Sequence, residues 1–113
     1  MDKGIISIVK RLQALGFETV TSCQGHPRAY ITVRSEPVKR LLLLKRKFDA
    51  AFESLHLDEI KVQLEYAESF PALDNKKFCY HRIQVAILRF VNYEKLLERD
   101  QIKVSRAIAK LME

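Results

Sequence analysis

The chain has 113 residues, 48% of them hydrophobic and 30% charged, which fits one globular domain over residues 1–113 and leaves no room for a second core. No apolar run approaches the roughly 18 residues a membrane-spanning helix needs, and Lys10 and Arg11 stand where a signal peptide would stay apolar, so the expectation is a cytoplasmic protein with no membrane partner. The 20 Lys and Arg residues outnumber the 14 Asp and Glu, giving +6 and a pI near 9.5, a balance that favours nucleic acid first and an acidic protein second.

Asp2 is placed to cap a first helix whose apolar residues Ile5, Ile8, Val9, Leu12 and Leu15 keep helical spacing, with Gly16 as its stop. Phe17 to Ser22 and Ala29 to Arg34 are rich in Thr, Val and Ile and predict two strands, joined through Cys23-Gln24-Gly25-His26-Pro27. Ser35-Glu36-Pro37 then signals a helix start, with Pro37 in the first turn, where its missing N–H is harmless. The second helix runs to Leu55. Its core face is Leu41, Leu44, Phe48, Phe52 and Leu55, and Lys39, Arg40, Arg46 and Lys47 gather opposite, around Leu43.

Ile60, Val62, Leu64 and Tyr66 alternate with Lys61, Gln63 and Glu65, a half-buried strand. A turn-rich stretch leads to a fourth strand over Phe78 to Phe90, with Cys79, His81, Ile83, Val85 and Ile87 on one face and Tyr80, Arg82, Gln84 and Ala86 on the other. Asn92 is expected to cap a last helix with Leu97, Val104, Ala107, Ile108 and Leu111 inward. Two hairpins, each preceded by a helix, predict an α+β fold of order αββαββα. It has a four-stranded, mainly antiparallel sheet with the helices on one face. Strand order and oligomeric state stay open, a homodimer included.

Three constellations carry chemistry. On the last helix Lys95, Arg99, Lys103, Arg106 and Lys110 fall within an arc of roughly 80° at about 100° per residue. Like charges at i, i+4 weaken a helix, so such a ladder implies a use in binding phosphate, against the alternative of a solvated face. On the sheet, Tyr30, Thr32, Arg34, Lys61, Gln63, Tyr80, Arg82 and Gln84 are expected to point away from the helices. Tyrosines among cations suit base stacking, RNA before DNA, where a plain solvated face or a dimer surface is the other reading.

The third constellation is thiol and imidazole. Cys23 with His26 and Cys79 with His81 supply two sulfurs and two nitrogens, a set that would complete a tetrahedral zinc shell, although the spacing matches no recognised ligand pattern and buried cysteines are commonly packing residues. Cys23 and His26 are equally the candidates for a nucleophile and its base. No resident cofactor is otherwise expected. Gly25 most simply allows a positive φ in the turn.

The run Thr19-Val20-Thr21-Ser22-Cys23-Gln24-Gly25-His26 resembles the Thr-x-Ser-Ser-Cys-Ser-Gly-Arg segment of the tRNA wybutosine-synthesis methyltransferase family, with His26 in place of Arg. That resemblance covers eight residues. It implies a ligand-contacting turn at Ser22, Cys23, Gln24, Gly25 and His26 and an RNA-modification enzyme or subunit, though the family's Gly-rich cofactor loop has no counterpart here. The same turn is similar to short bacterial and phage proteins carrying Ser-Cys-x-Gly-His, which makes a mobile-element inhibitor of a nucleic-acid-handling partner the competing expectation. The order αββαββα also resembles the half-unit of LAGLIDADG homing endonucleases. Those need an acidic residue at the end of the first helix, where this chain has Ala14-Leu15-Gly16-Phe17, with Glu18 beyond the glycine.

Overall fold

The computed structural model describes residues 2–25, 27–69 and 83–112. Its elements are α1 (Ile6–Ala14), β1 (Thr19–Gln24), β2 (Ala29–Arg34), α2 (Val38–Ser54), β3 (Lys61–Ser69), β4 (Ile83–Val91), a single 3-10 turn (Tyr93–Lys95) and α3 (Glu98–Leu111). The expected α+β order αββαββα is therefore present. The strands form one sheet in the order β1-β2-β4-β3, with every neighbouring pair antiparallel. No described helix is long and apolar enough to cross a membrane.

One face of the sheet carries Ile31, Val33, Ala86, Leu88, Phe90 and Val62, all buried beneath the helices. Ile5, Ile8, Val9 and Leu12 of the α1 region and Leu41, Leu44, Phe48 and Phe52 of α2 complete this core, as their spacing predicts. Phe90 is its centre: Phe48 meets it edge-on at 5.2 Å between ring centroids, with Phe52 and Tyr93 at 6.1 and 6.2 Å. Such tilted pairs add about 0.5–1.5 kcal/mol each beyond the area they bury.

The helix ends follow from local chemistry, with three corrections. After α1, Phe17 N–H donates to Leu12 O and Gly16 N–H to Gln13 O, both at 3.0 Å, a reversal that needs the positive φ of +92° at Gly16. His56 takes the same left-handed place after α2, with φ +59°. Asp2, however, does not cap α1: its carboxylate accepts from the Gln24 N–H at 2.8 Å, and Ile5 stands at the N-cap. Ser35 does not cap α2: Pro37 takes the N-cap with no side-chain cap bond, and Ser35 stands two residues before it, its N–H extending the β2–β4 ladder to Gln84 O at 3.0 Å. Asn92 does not cap α3. It adopts a left-handed conformation ahead of the 3-10 turn and donates from its side chain to Glu59 O at 2.8 Å, so α3 begins six residues later, at Glu98.

Candidate nucleic-acid interface

The rotation of α3 about its axis decides where its cations point. Its buried residues are Gln101, Ser105 and Ile108, followed by Met112 after its last turn. Leu97 and Leu111, expected inward, are 60% and 51% exposed, while Val104 packs partly against the core. The polar residues win the inner face because they satisfy buried backbone. Gln101 Nε2 donates to Gln24 O and Tyr93 O, both at 3.0 Å, and Ser105 Oγ accepts from the Ile8 N–H at 3.2 Å. A buried carbonyl or N–H without a partner costs about 1–3 kcal/mol, comparable to burying one leucine.

At about 100° per residue, that inner face leaves Arg99, Lys103, Arg106 and Lys110 diametrically outward. All four are exposed, and none forms an ion pair among the described residues. Lys95, also exposed, belongs to the 3-10 turn, and the extended Leu96–Leu97 junction takes it out of the helical register. The stripe is thus four residues on α3 rather than five. Glu98, at the start of α3, accepts from Gln24 Nε2 at 2.9 Å.

On α2 the cations divide. Arg40 is built into the fold: its guanidinium donates to Leu15 O at 2.9 Å, pairs with Glu36 at 3.1 Å and stacks 4.1 Å from the centre of the Phe17 ring. Lys39, Arg46 and Lys47 are exposed. Leu43 is 56% exposed and, with Leu15, Phe17, Arg40, Leu44 and Lys47, lines a hollow of about 170 Å³.

The sheet face away from the helices carries Tyr30, Thr32 and Arg34 of β2, as expected, beside Lys61, Gln63 and Glu65 of β3. The phase expected for β4 is reversed. Ala86 and Leu88 pair with Val33 and Ile31 on the core side, so Val85, Ile87 and Arg89 lie on the outer face and Gln84 does not. The signal was present, because the expected phase would have buried Arg89 and exposed Phe90. Of the cations on this face, Arg34 pairs with Glu18 at 3.3 Å and Arg89 with Glu65 at 3.2 Å. Tyr80 and Arg82 lie outside the described residues. A cavity of about 370 Å³ opens here, walled by Thr21, Pro27, Arg28, Tyr30, Thr32, Ile87 and Arg89. Arg28 and Arg89 were not among the residues singled out from sequence.

The turn after β1 is in good part structural. Gln24 is only 7% exposed, and its Oε1 accepts from the Gly4 N–H at 2.7 Å. Gly25 has φ +146°, and a Cβ there would stand 2.7 Å from the Cβ of Glu94, so glycine is required twice over. Cys23 pairs in register with Tyr30 and Ser22 with Ile31, so the thiol belongs to the outer face and Ser22 to the helix side. His26, Cys79 and His81 lie outside the described residues, which leaves Cys23 as the one described member of the zinc set and of the nucleophile–base pair. Among the described residues no cluster of three or more His, Cys, Asp or Glu is placed to hold a metal.

Against known proteins, no family model, curated protein or solved structure matches the chain. The functional reading therefore rests on this geometry.

Proposed function

We propose that the protein binds nucleic acid, single-stranded RNA before DNA. The observation that carries this reading is the row Arg99, Lys103, Arg106 and Lys110, turned straight out from the domain with no ion pair among the described residues. Four like charges at i, i+3 and i+4 cost the helix a few tenths of a kcal/mol per pair, and phosphates spaced along a strand relieve that repulsion. The preference for a single strand comes from the outer sheet face, where Tyr30 offers a ring and Arg28 and Arg89 offer charge. Phosphate contacts of this kind give affinity with little sequence preference.

Fluorescence anisotropy with a labelled oligo(U) across a salt series tests the proposal. Binding should weaken steeply with salt and fall when Lys103 and Arg106 are replaced by Gln. Absence of binding at low salt, or binding that ignores both salt and the replacements, removes it.

A second reading has its own observation: the exposed Leu43 at the lip of an apolar hollow flanked by Arg40 and Lys47 suits an acidic protein partner with an apolar anchor. Co-purification that survives nuclease and is lost in Leu43→Asp would favour it.

A further inference from the structure

We infer that the cavity on the outer sheet face is a nucleotide site, holding one planar base against Tyr30 with its phosphate between Arg28 and Arg89. This deepens the nucleic-acid reading and rests on it for the strand form of the ligand. At about 370 Å³ the cavity falls within the roughly 300–1,000 Å³ usual for small-molecule sites. Among the described residues that line it none is acidic, and two are arginines.

Those arginines differ in a useful way. Arg89 is anchored by Glu65 at 3.2 Å through one terminal nitrogen, and its Nε is buried with no hydrogen-bond partner among the described residues. Arg28 is exposed and has no ion pair among the described residues. An anchored guanidinium and an exposed one on the wall of the same cavity suit a phosphate, which offers several acceptor oxygens at once. The adjoining hollow of about 200 Å³ shares Arg28 and Arg89 but also carries Glu94, so an anion is favoured on the Tyr30 side.

The remaining wall chooses the rest of the ligand. Tyr30 is half-buried beside Ile87, an aromatic and an aliphatic surface for a flat ring, and the Thr21 and Thr32 hydroxyls can serve its polar edge or the sugar. Cys23 and Gln63 continue the same cross-strand row as Tyr30 and Arg89. The ligand chemistry is thus a nucleoside phosphate, whether free or as one unit of a strand.

The test uses the full chain in calorimetric titrations with AMP, adenosine and inorganic phosphate, and anisotropy with labelled oligo(U), on the parent protein and on Arg28→Ala, Tyr30→Leu, Tyr30→Phe and Lys103→Gln/Arg106→Gln. Far-UV circular dichroism confirms that each variant is folded. Saturable AMP binding is expected, weakened about tenfold by Arg28→Ala and by Tyr30→Leu, kept by Tyr30→Phe and untouched by the α3 pair. AMP binding without oligo(U) binding supports the site and removes the RNA reading. Oligo(U) binding that Tyr30→Leu weakens, without AMP binding, supports the site in its strand form. Oligo(U) binding indifferent to Arg28→Ala and Tyr30→Leu, without AMP binding, overturns the site and leaves the α3 reading standing. Phosphate binding as tightly as AMP overturns it too.

Discussion

Gln101 on α3 reaches Gln24 at the end of β1, 77 residues away, with its amide nitrogen 3.0 Å from the Gln24 carbonyl. The same nitrogen serves Tyr93 O, and Gln24 in turn accepts from the Gly4 N–H and donates to Glu98. One buried amide thus ties the last helix to the first hairpin and to the turn between β4 and α3. Gln101→Leu keeps the volume but takes the side-chain donor from Gln24 O and from Tyr93 O, the latter keeping the Leu96 N–H at 3.1 Å, and about 1–3 kcal/mol of stability should be lost. Gly4→Ala should damage the same junction, since a Cβ there would come 2.8 Å from Gln24 Oε1 and 2.9 Å from Gln101 Cβ. Thermal melts check both, and because the two changes share a network the double variant should lose less than the sum.

Tyr93 makes the junction sensitive to alkali. Its hydroxyl donates to the Gly4 carbonyl with Gln101 O at 2.9 Å, and burial holds its pKa well above the usual value near 10, partly offset by a hydrogen bond with Ser105. The folded protein keeps this proton where the unfolded chain gives it up. Its contribution to stability is complete below about pH 10 and is lost as pH rises from there toward the folded pKa, at up to about 1.4 kcal/mol per pH unit. Tyr93→Phe should be less stable at neutral pH and should show a flatter decline above pH 10 in urea titrations. An unchanged alkaline slope would refute the assignment.

What could be read from residues alone was local pattern, and what could not was long-range pairing. The alternation Ile60, Val62, Leu64 and the spacing of Leu41, Leu44, Phe48 and Phe52 place their elements correctly, because each reports one buried face. The sheet order β1-β2-β4-β3 is set by contacts between distant strands, which periodicity does not encode. The α3 rotation was misread for a physical reason: counting apolar residues assigns Leu97 and Leu111 inward, whereas the buried backbone at Gln24 and Ile8 draws its partners from Gln101 and Ser105. The cation stripe was legible, less Lys95, but the Arg28–Tyr30–Arg89 cavity was not, since it needs the true phase of β4 and the β2–β4 register.

Leu43 and Leu44 are neighbours in sequence with opposite duties, at 56% and 3% exposure. Leu43→Asp should change stability by no more than about 0.5 kcal/mol, while Leu44→Ala should cost about 2–5 kcal/mol by opening the α2 core contact. Chemical denaturation of the two variants is the check. A large loss from Leu43→Asp would mean that its hollow is part of the fold and would end its use as a probe for a protein partner.

The α3 stripe separates binding from stability most sharply. For single strands each phosphate contact contributes about 0.7 to the slope of log affinity against log salt, so replacing Lys103 and Arg106 by Gln should lower its magnitude by about 1.4 if both touch phosphate. The same change removes like-charge neighbours: Arg99 and Lys110 each lie four residues from one of the pair, and Lys103 and Arg106 are three apart. The helix should gain a few tenths of a kcal/mol rather than lose any. A lower salt slope with an equal or higher melting temperature is therefore the signature of cations held in place for a ligand. An unchanged slope marks them as a solvated face, whatever happens to stability.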